Sequence, residues 1–222
     1  MCSSDLALRY QLAFRVVART DVDLAAVGYR PTQAVRDMMA FDADLGNYLV
    51  EPQAVINDQQ QLLTAYQATP SPWPDLDRFL LTINRRIALA HLVCEFRQAK
   101  LAYEVIDYSD QIRLSACAAQ RSPEMCAMLQ ERFAVVLLDE YQDTSVAQRV
   151  LLQRLFADGF PVMAVGDPCQ AIYRWRGAEI SNMLTFPTDF PRHIAGEAAP
   201  AQVLPLTINR RSAPAVLAAA ND

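Results

Sequence analysis

Through the first hundred positions, apolar residues recur three or four apart, the spacing that lines one buried face of a helix. In PTQAVRDMMAFDADLGNYL, Pro31 suits a helix start, and Val35, Met38, Met39 and Phe41 fall on one stripe. EPQAVINDQQQLLTAYQA repeats the pattern with Val55, Leu62, Leu63 and Tyr66, ahead of the breaker cluster Pro70-Ser71-Pro72-Trp73-Pro74. A longer helix is predicted from Asp75 or Asp77 through RRIALAHLVCEFRQAKLAYEVI. Clean strand alternation is absent from this stretch, so the expectation is an all-α block.

After Phe133 the pattern changes. AVVLLDE is a short β-branched and Leu-rich run, the mark of a parallel strand buried on both faces. TSVAQRVLLQRLF follows, with Ser145 and Gln148 at capping-box spacing and Val146, Val150, Leu151 and Leu155 on one stripe, ended by Gly159. FPVMAVGD is a second predicted buried strand, so strand, helix and strand form a βαβ unit with a parallel pair. A third strand is predicted in AQVLPLT, and a helix toward the end of INRRSAPAVLAAAND. The C-terminal half is therefore expected to be α/β.

Composition narrows the class. The chain has 222 residues, of which 52% are hydrophobic and 20% charged, enough to bury a core. A net charge of −5 argues against a generic basic nucleic-acid coat but leaves room for a local groove lined by arginines. No apolar run is long enough to span a bilayer and the N-terminus does not read as a signal peptide, so no membrane partner and a cytoplasmic address are expected. Five scattered cysteines (Cys2, Cys94, Cys117, Cys126, Cys169) form no C-x-x-C pair and read as free thiols. His91 and His193 lack partners at ligand spacing, and His91 reads as packed on its helix. There are nineteen arginines and one lysine, Lys100.

The candidate chemistry lies where apolar runs stop on charge. VVLLDEYQDT delivers Asp139 and Glu140 to the C-terminal end of a strand, the edge where ligands bind in open parallel sheets. One carboxylate there suits a hard cation such as Mg²⁺, and a second suits a base for an attacking water. An ordinary acidic loop is the competing reading. The second strand ends at Asp167, and Gln170 places a neutral amide near the same edge. Tyr173, Arg174, Trp175 and Arg176 then interleave rings and guanidinium groups, either for single-stranded nucleic acid or as packing with solvated charges. Arg210 and Arg211 fit a phosphate clamp or a solvated helix start.

In this order and spacing, LLDEYQDT, VGDPCQAIYRWRGAEI and LTINRRS resemble motifs II, III and IV of the UvrD/Rep/PcrA family of superfamily 1 DNA helicases. IDYSDQI resembles the segment that precedes motif II in that family. The likeness is dense from Tyr103 onward and only positional before it. It implies an incomplete RecA-like parallel-sheet core of the P-loop NTPase class, preceded by an all-α inserted subdomain. The corresponding division is a 1B-like insertion over 1–103 and part of subdomain 1A over 104–222.

The resemblance also implies roles. Asp139, with Glu140, would hold Mg²⁺, and Glu140 would activate the water that attacks the ATP γ-phosphate. Gln170 would sense that phosphate and Arg211 would reach it. Tyr173 and Trp175 would contact bases of single-stranded DNA, with Arg176 linking the two sites. Arg210 stands where the family commonly has a Tyr stacked on adenine. The implied cofactors are ATP and Mg²⁺, and the implied partners are single-stranded DNA and 3′-tailed duplex, used with 3′-to-5′ polarity in repair or recombination.

One part of that machinery has no counterpart here. G-x-x-x-x-G-K-[ST] occurs nowhere in the chain, and Lys100 is followed by leucine with no glycine nearby. The family's motif I is then expected before residue 1 and its motifs V and VI after residue 222, and this chain alone is expected neither to hydrolyse ATP nor to unwind DNA. Two alternatives are a non-catalytic DNA-binding or scaffold relative, and the helicase part of a helicase-nuclease.

Overall fold

The computed structural model describes residues 6–68, 75–157, 159–194 and 196–221. The cluster at 70–74 and Cys2 lie outside the described residues. Helices α1 (Leu6–Arg19), α2 (Pro31–Tyr48), α3 (Pro52–Ala68), α4 (Leu76–Ala102), α5 (Tyr108–Arg121) and α6 (Pro123–Gln130) precede any strand, as the spacing predicts. Pro31 stands at the first turn of α2, where its missing N–H costs no helix bond. The predicted stripe of α2 faces inward through the buried Val35 and Met38. They meet Leu12, Val16 and Val17 of α1 and Leu92, Val93 and Phe96 of α4 in one apolar cluster.

Helix α3 departs from expectation. Val55 packs against that apolar cluster as the spacing predicts, and Ile56 and Gln59 are buried, but Leu62 is exposed. α3 packs mainly on α4, so its inner stripe runs through Ile56, Gln59 and Leu63, and Leu62 falls to one side of it. His91 is likewise exposed on α4, not packed. Cys94 and Cys117 are half-buried, Cys126 is buried and Cys169 is exposed, all as free thiols.

The second part holds β1 (Val136–Leu138), α7 (Val146–Phe156), β2 (Val162–Ala164), α8 (Ile180–Asp189), the hairpin β3 (Arg192–Ile194) and β4 (Glu197–Ala199), and α9 (Pro214–Asn221). β1 and β2 pair in parallel with Leu137 opposite Met163, completing the βαβ unit. The capping box of α7 is formed. The Ser145 amide donates to Gln148 Oε1 at 2.8 Å, and the Gln148 amide donates to Ser145 Oγ at 3.2 Å.

Two strand expectations fail. β1 and β2 are buried on one face only, where Val136, Leu138, Val162 and Ala164 meet Tyr141, Leu152, Leu155 and Phe186. On the other face Leu137 is 70% exposed and Met163 57% exposed. A two-stranded ladder lacks the neighbours that would carry a second covering layer across it. Residues 200–209 also form no strand, and Val203, Leu204, Leu206 and Ile208 are exposed. An apolar segment becomes a strand only when a sheet edge receives its backbone groups, and among the described residues no strand pairs with it.

The two parts touch. α7 packs against α2, α5 and α6, and Gly177 lies against Asn47 of α2. Among the described residues no helix is long and apolar enough to cross a membrane.

Candidate functional site

β1 and β2 run in the same direction, so both release their chains at one edge. The strand-to-turn junction is tied across the pair. The Val165 amide donates to the Leu138 carbonyl at 2.8 Å, and the Tyr141 amide returns to the Val165 carbonyl at 2.9 Å. Between these bonds, Asp139 and Glu140 are pushed out of the ladder and both are exposed. Glu140 adopts a left-handed backbone (φ 50°, ψ 42°), which turns the chain sharply into the 3₁₀ turn Tyr141–Asp143. The Glu140 amide donates to Asp139 Oδ1 at 3.0 Å.

That turn sends its side chains inward. Tyr141 is buried against Phe186 with ring centroids 5.2 Å apart, and burial, with the Asp189 charge adding to it and Arg149 opposing it, pushes its hydroxyl pKa up to about 12. Gln142 is 2% exposed. Its Nε2 donates to Glu140 Oε2 at 2.7 Å, and its Oε1 accepts from the Asp167 amide at 3.1 Å. Asp143, the third carboxylate of the run, is half-buried, and its Oδ1 has no hydrogen-bond partner among the described residues.

The second strand supplies the facing half. Asp167 caps the 3₁₀ turn Pro168–Gln170, accepting from the Cys169 amide on Oδ1 and from Gln170 Nε2 on Oδ2, each at 2.9 Å. The Gln170 side chain first, and then the Cys169 amide, hold the Asp167 carboxyl below the usual aspartate range. A Cβ at Gly166 would lie 2.5 Å from Gln142 Oε1, so this close approach requires glycine.

A second tie sets the depth of the turn. Asn182 of α8 is buried, and its Nδ2 donates to the Thr144 carbonyl at 2.8 Å, which also accepts from the Glu179 amide at 3.1 Å. The segment after β1 is thereby pinned to the segment after β2.

Of the sequence-predicted site residues, the fold brings Asp139, Glu140 and Gln170 to one edge and joins them through Gln142 and Asp167. Tyr173 and the 76% exposed Trp175 form the adjacent surface, with ring centroids 6.3 Å apart. Arg176 closes the turn Arg174–Arg176, and its side chain lies outside the described ones. Arg210 and Arg211 are not brought in. Both are exposed in an irregular segment where Asn209 Oδ1 accepts from the Arg211 and Ser212 amides, and no ion pair among the described residues joins either to the strand edge. A cavity between α3 and α4, lined by Gln59, Arg78, Phe79 and Arg86, shares no residue with this cluster.

Sequence reasoning passed over Gln142, Asn182 and Lys100. The first two are polar residues beside apolar ones, with no periodic signal that they turn inward. Lys100 is the lone lysine of the sequence, but its three carboxylate partners are Asp42 of α2, Asp107 at the cap of α5 and Asp110 in its first turn.

The edge suits a cation that arrives hydrated. Asp139 offers an exposed carboxylate, and among the described residues no cluster of three or more His, Cys, Asp or Glu forms a protein cage. Mg²⁺ is commonly held this way, by one or two carboxylates with waters and phosphate oxygens completing its shell.

The profile of the UvrD/REP helicase N-terminal domain matches residues 22–191. Among curated proteins, the ATP-dependent DNA helicase PcrA of Bacillus subtilis is 34% identical over 134 residues, covering 60% of this chain and 17% of that protein. DNA helicase II of Rickettsia typhi is 35% identical over 128 residues, covering 58% of this chain and 18% of that protein. PcrA of Staphylococcus aureus is 37% identical over 119 residues, covering 54% and 15%. The matched part of the chain thus spans less than a fifth of the length of these relatives.

Proposed function

The chain belongs to the UvrD/REP helicase N-terminal domain family, and from that premise we propose that it is part of the motor of an ATP-dependent DNA helicase or translocase working 3′ to 5′. The observation that carries this reading is the chain of hydrogen bonds from Glu140 through Gln142 and Asp167 to Gln170, at the shared C-terminal edge of two parallel strands. A general base and a neutral phosphate-sensing amide held on one edge suit attack of water on a terminal phosphoryl group.

In this reading Asp139, with Glu140 beside it, would hold Mg²⁺, which supplies charge neutralisation on the phosphates. Glu140 takes the proton of the attacking water, and Gln170 and Arg211 contact the γ-phosphate. Arg210 lies flat on the base. Tyr173 and Trp175 stack on bases of single-stranded DNA and Arg176 joins the two sites. Exposed rings on and beside a turn that begins four residues after Gln170 support a short path from phosphate to strand.

The sheet's open face and the unpaired apolar segment at 200–209 support an incomplete RecA-like core. Separate apolar clusters on either side support a division near residue 103, although Lys100 pairs across it with Asp107 and Asp110. No loop of the form G-x-x-x-x-G-K occurs among the 222 residues, so this chain by itself turns over no ATP, and turnover requires the lysine-bearing loop.

The test is phosphate release with Mg²⁺, ATP and single-stranded DNA. The 222-residue chain is expected to show none. A protein joining it to the phosphate-binding loop should show DNA-stimulated release that Glu140→Gln abolishes. Glu140-dependent release by the short chain would overturn the inactivity. Absence of release from the longer protein would favour a non-catalytic DNA-binding role.

A further inference from the structure

We propose that Gln142 is a positioning residue that holds one oxygen of Glu140 and links it, through Asp167, to Gln170. This rests on the reading of Glu140 as the base for water attack.

Glu140 is exposed, and an exposed glutamate samples many rotamers. A base needs one oxygen aimed at the water within hydrogen-bond reach. Gln142 Nε2 supplies the constraint at 2.7 Å on Oε2, which leaves Oε1 for the water. The donor is itself immobile, because Gln142 is buried and its Oε1 is occupied by the Asp167 amide. Gly166, with no Cβ, leaves the room that oxygen occupies.

The chemistry requires an amide. One end must donate to a carboxylate and the other must accept from a backbone N–H, and among the side chains only glutamine does both at this length. Glutamate would keep the acceptor for Asp167 but set a second carboxylate against Glu140. Leucine would keep the bulk and make neither bond.

The same residue makes the edge a single unit. Asp167 receives Gln142 on its backbone amide and Gln170 on Oδ2. A move of Gln170 from Asp167 toward a phosphate would free Asp167 Oδ2, and Gln142 is the contact that ties the Asp167 amide to Glu140.

The test uses the protein that joins this chain to the phosphate-binding loop, with ATP, Mg²⁺ and single-stranded DNA. Gln142→Glu and Gln142→Leu should each lower kcat roughly ten- to a hundredfold, with KM for ATP and affinity for DNA within about threefold of wild type. Gly166→Ala displaces Gln142 from the opposite side and should give the same kcat-selective loss. It keeps the question answerable if a Gln142 variant does not fold. A wild-type protein with no turnover would overturn the reading of Glu140 as a base. Wild-type turnover with an unchanged kcat in folded Gln142→Leu, or with kcat and DNA binding falling together in all three variants, would overturn the positioning role alone.

Discussion

Lys100 Nζ of α4 lies 2.8 Å from Asp42 Oδ2 of α2, a pair 58 residues apart in the chain and nearly out of reach of solvent. Asp110 Oδ2 stands at 2.7 Å and Asp107 Oδ2 at 3.3 Å from the same ammonium. Arg9, Arg97 and Arg113 complete the charge balance on these aspartates. The lone lysine thus joins α4 and α2 to the start of α5.

Lys100→Met keeps the stem and removes the charge, leaving three buried carboxylates short of a partner. Breaking a buried network from one side costs about 3–5 kcal/mol. Chemical denaturation of wild type and variant should show a loss of that size, and a loss below about 1 kcal/mol would mean that the arginines suffice.

The same network predicts acid sensitivity. Burial alone would raise the Asp110 carboxyl, but the Lys100 hydrogen bond and charge, the Asp107 amide and Arg113 reverse this and hold it below the ordinary range. A depressed folded value contributes stability above the unfolded pKa of about 4, lost as pH falls through the folded value. Burial likewise opposes the Lys100 charge, and Asp42, Asp107 and Asp110 more than offset it, raising its pKa. That contribution is present below about pH 10.4 and fades as pH rises through the folded value. Thermal unfolding midpoints should therefore fall below pH 4, and the acid step should shrink in Asp110→Asn.

Gly177 has φ +86°, and a Cβ there would lie 2.4 Å from Asn47 Nδ2 and 2.8 Å from Asn47 Cβ. Gly177→Ala combines left-handed strain with a clash against α2, together about 2 kcal/mol or more. Asn47→Ala removes the contact with Nδ2 but keeps the Cβ at 2.8 Å, so it should recover only part of that loss in a double-mutant cycle. Full additivity would place the two residues in separate environments.

The open face of the sheet predicts weak local protection. Amides in residues 133–166 should exchange with solvent well before those in the centre of α4, which is buried on α1 and α2. Slow exchange throughout 133–166 would show the sheet to be stable as it stands. Leu137→Lys should change stability by no more than about 0.5 kcal/mol while reducing self-association measured by light scattering.

Trp175 is the most exposed ring beside the strand edge. Trp175→Ala should weaken binding of fluorescent single-stranded DNA by about 1–3 kcal/mol, with little change in the salt slope, because stacking and not charge is lost. Unchanged affinity would assign Trp175 to packing against a neighbouring surface.

Much of this organisation was legible in one dimension. Local rules determined the helices before β1, the capping box at Ser145 and Gln148, and the βαβ unit, because each depends on residues a few positions apart, but they did not mark α8, which carries Pro187 inside it. The run from Val135 to Thr144 already placed Asp139 and Glu140 at the end of a strand, since buried apolar residues cannot carry two carboxylates inward. What tertiary structure decided was which polar groups meet. Gln142 reaches Asp167 across 25 positions, Asn182 reaches Thr144 across 38, and Lys100 reaches Asp42 across 58. No periodicity records such pairs, because they form only when separate elements are packed. The same holds for residues 200–209, whose composition suits a strand but whose backbone becomes one only beside an unfilled sheet edge.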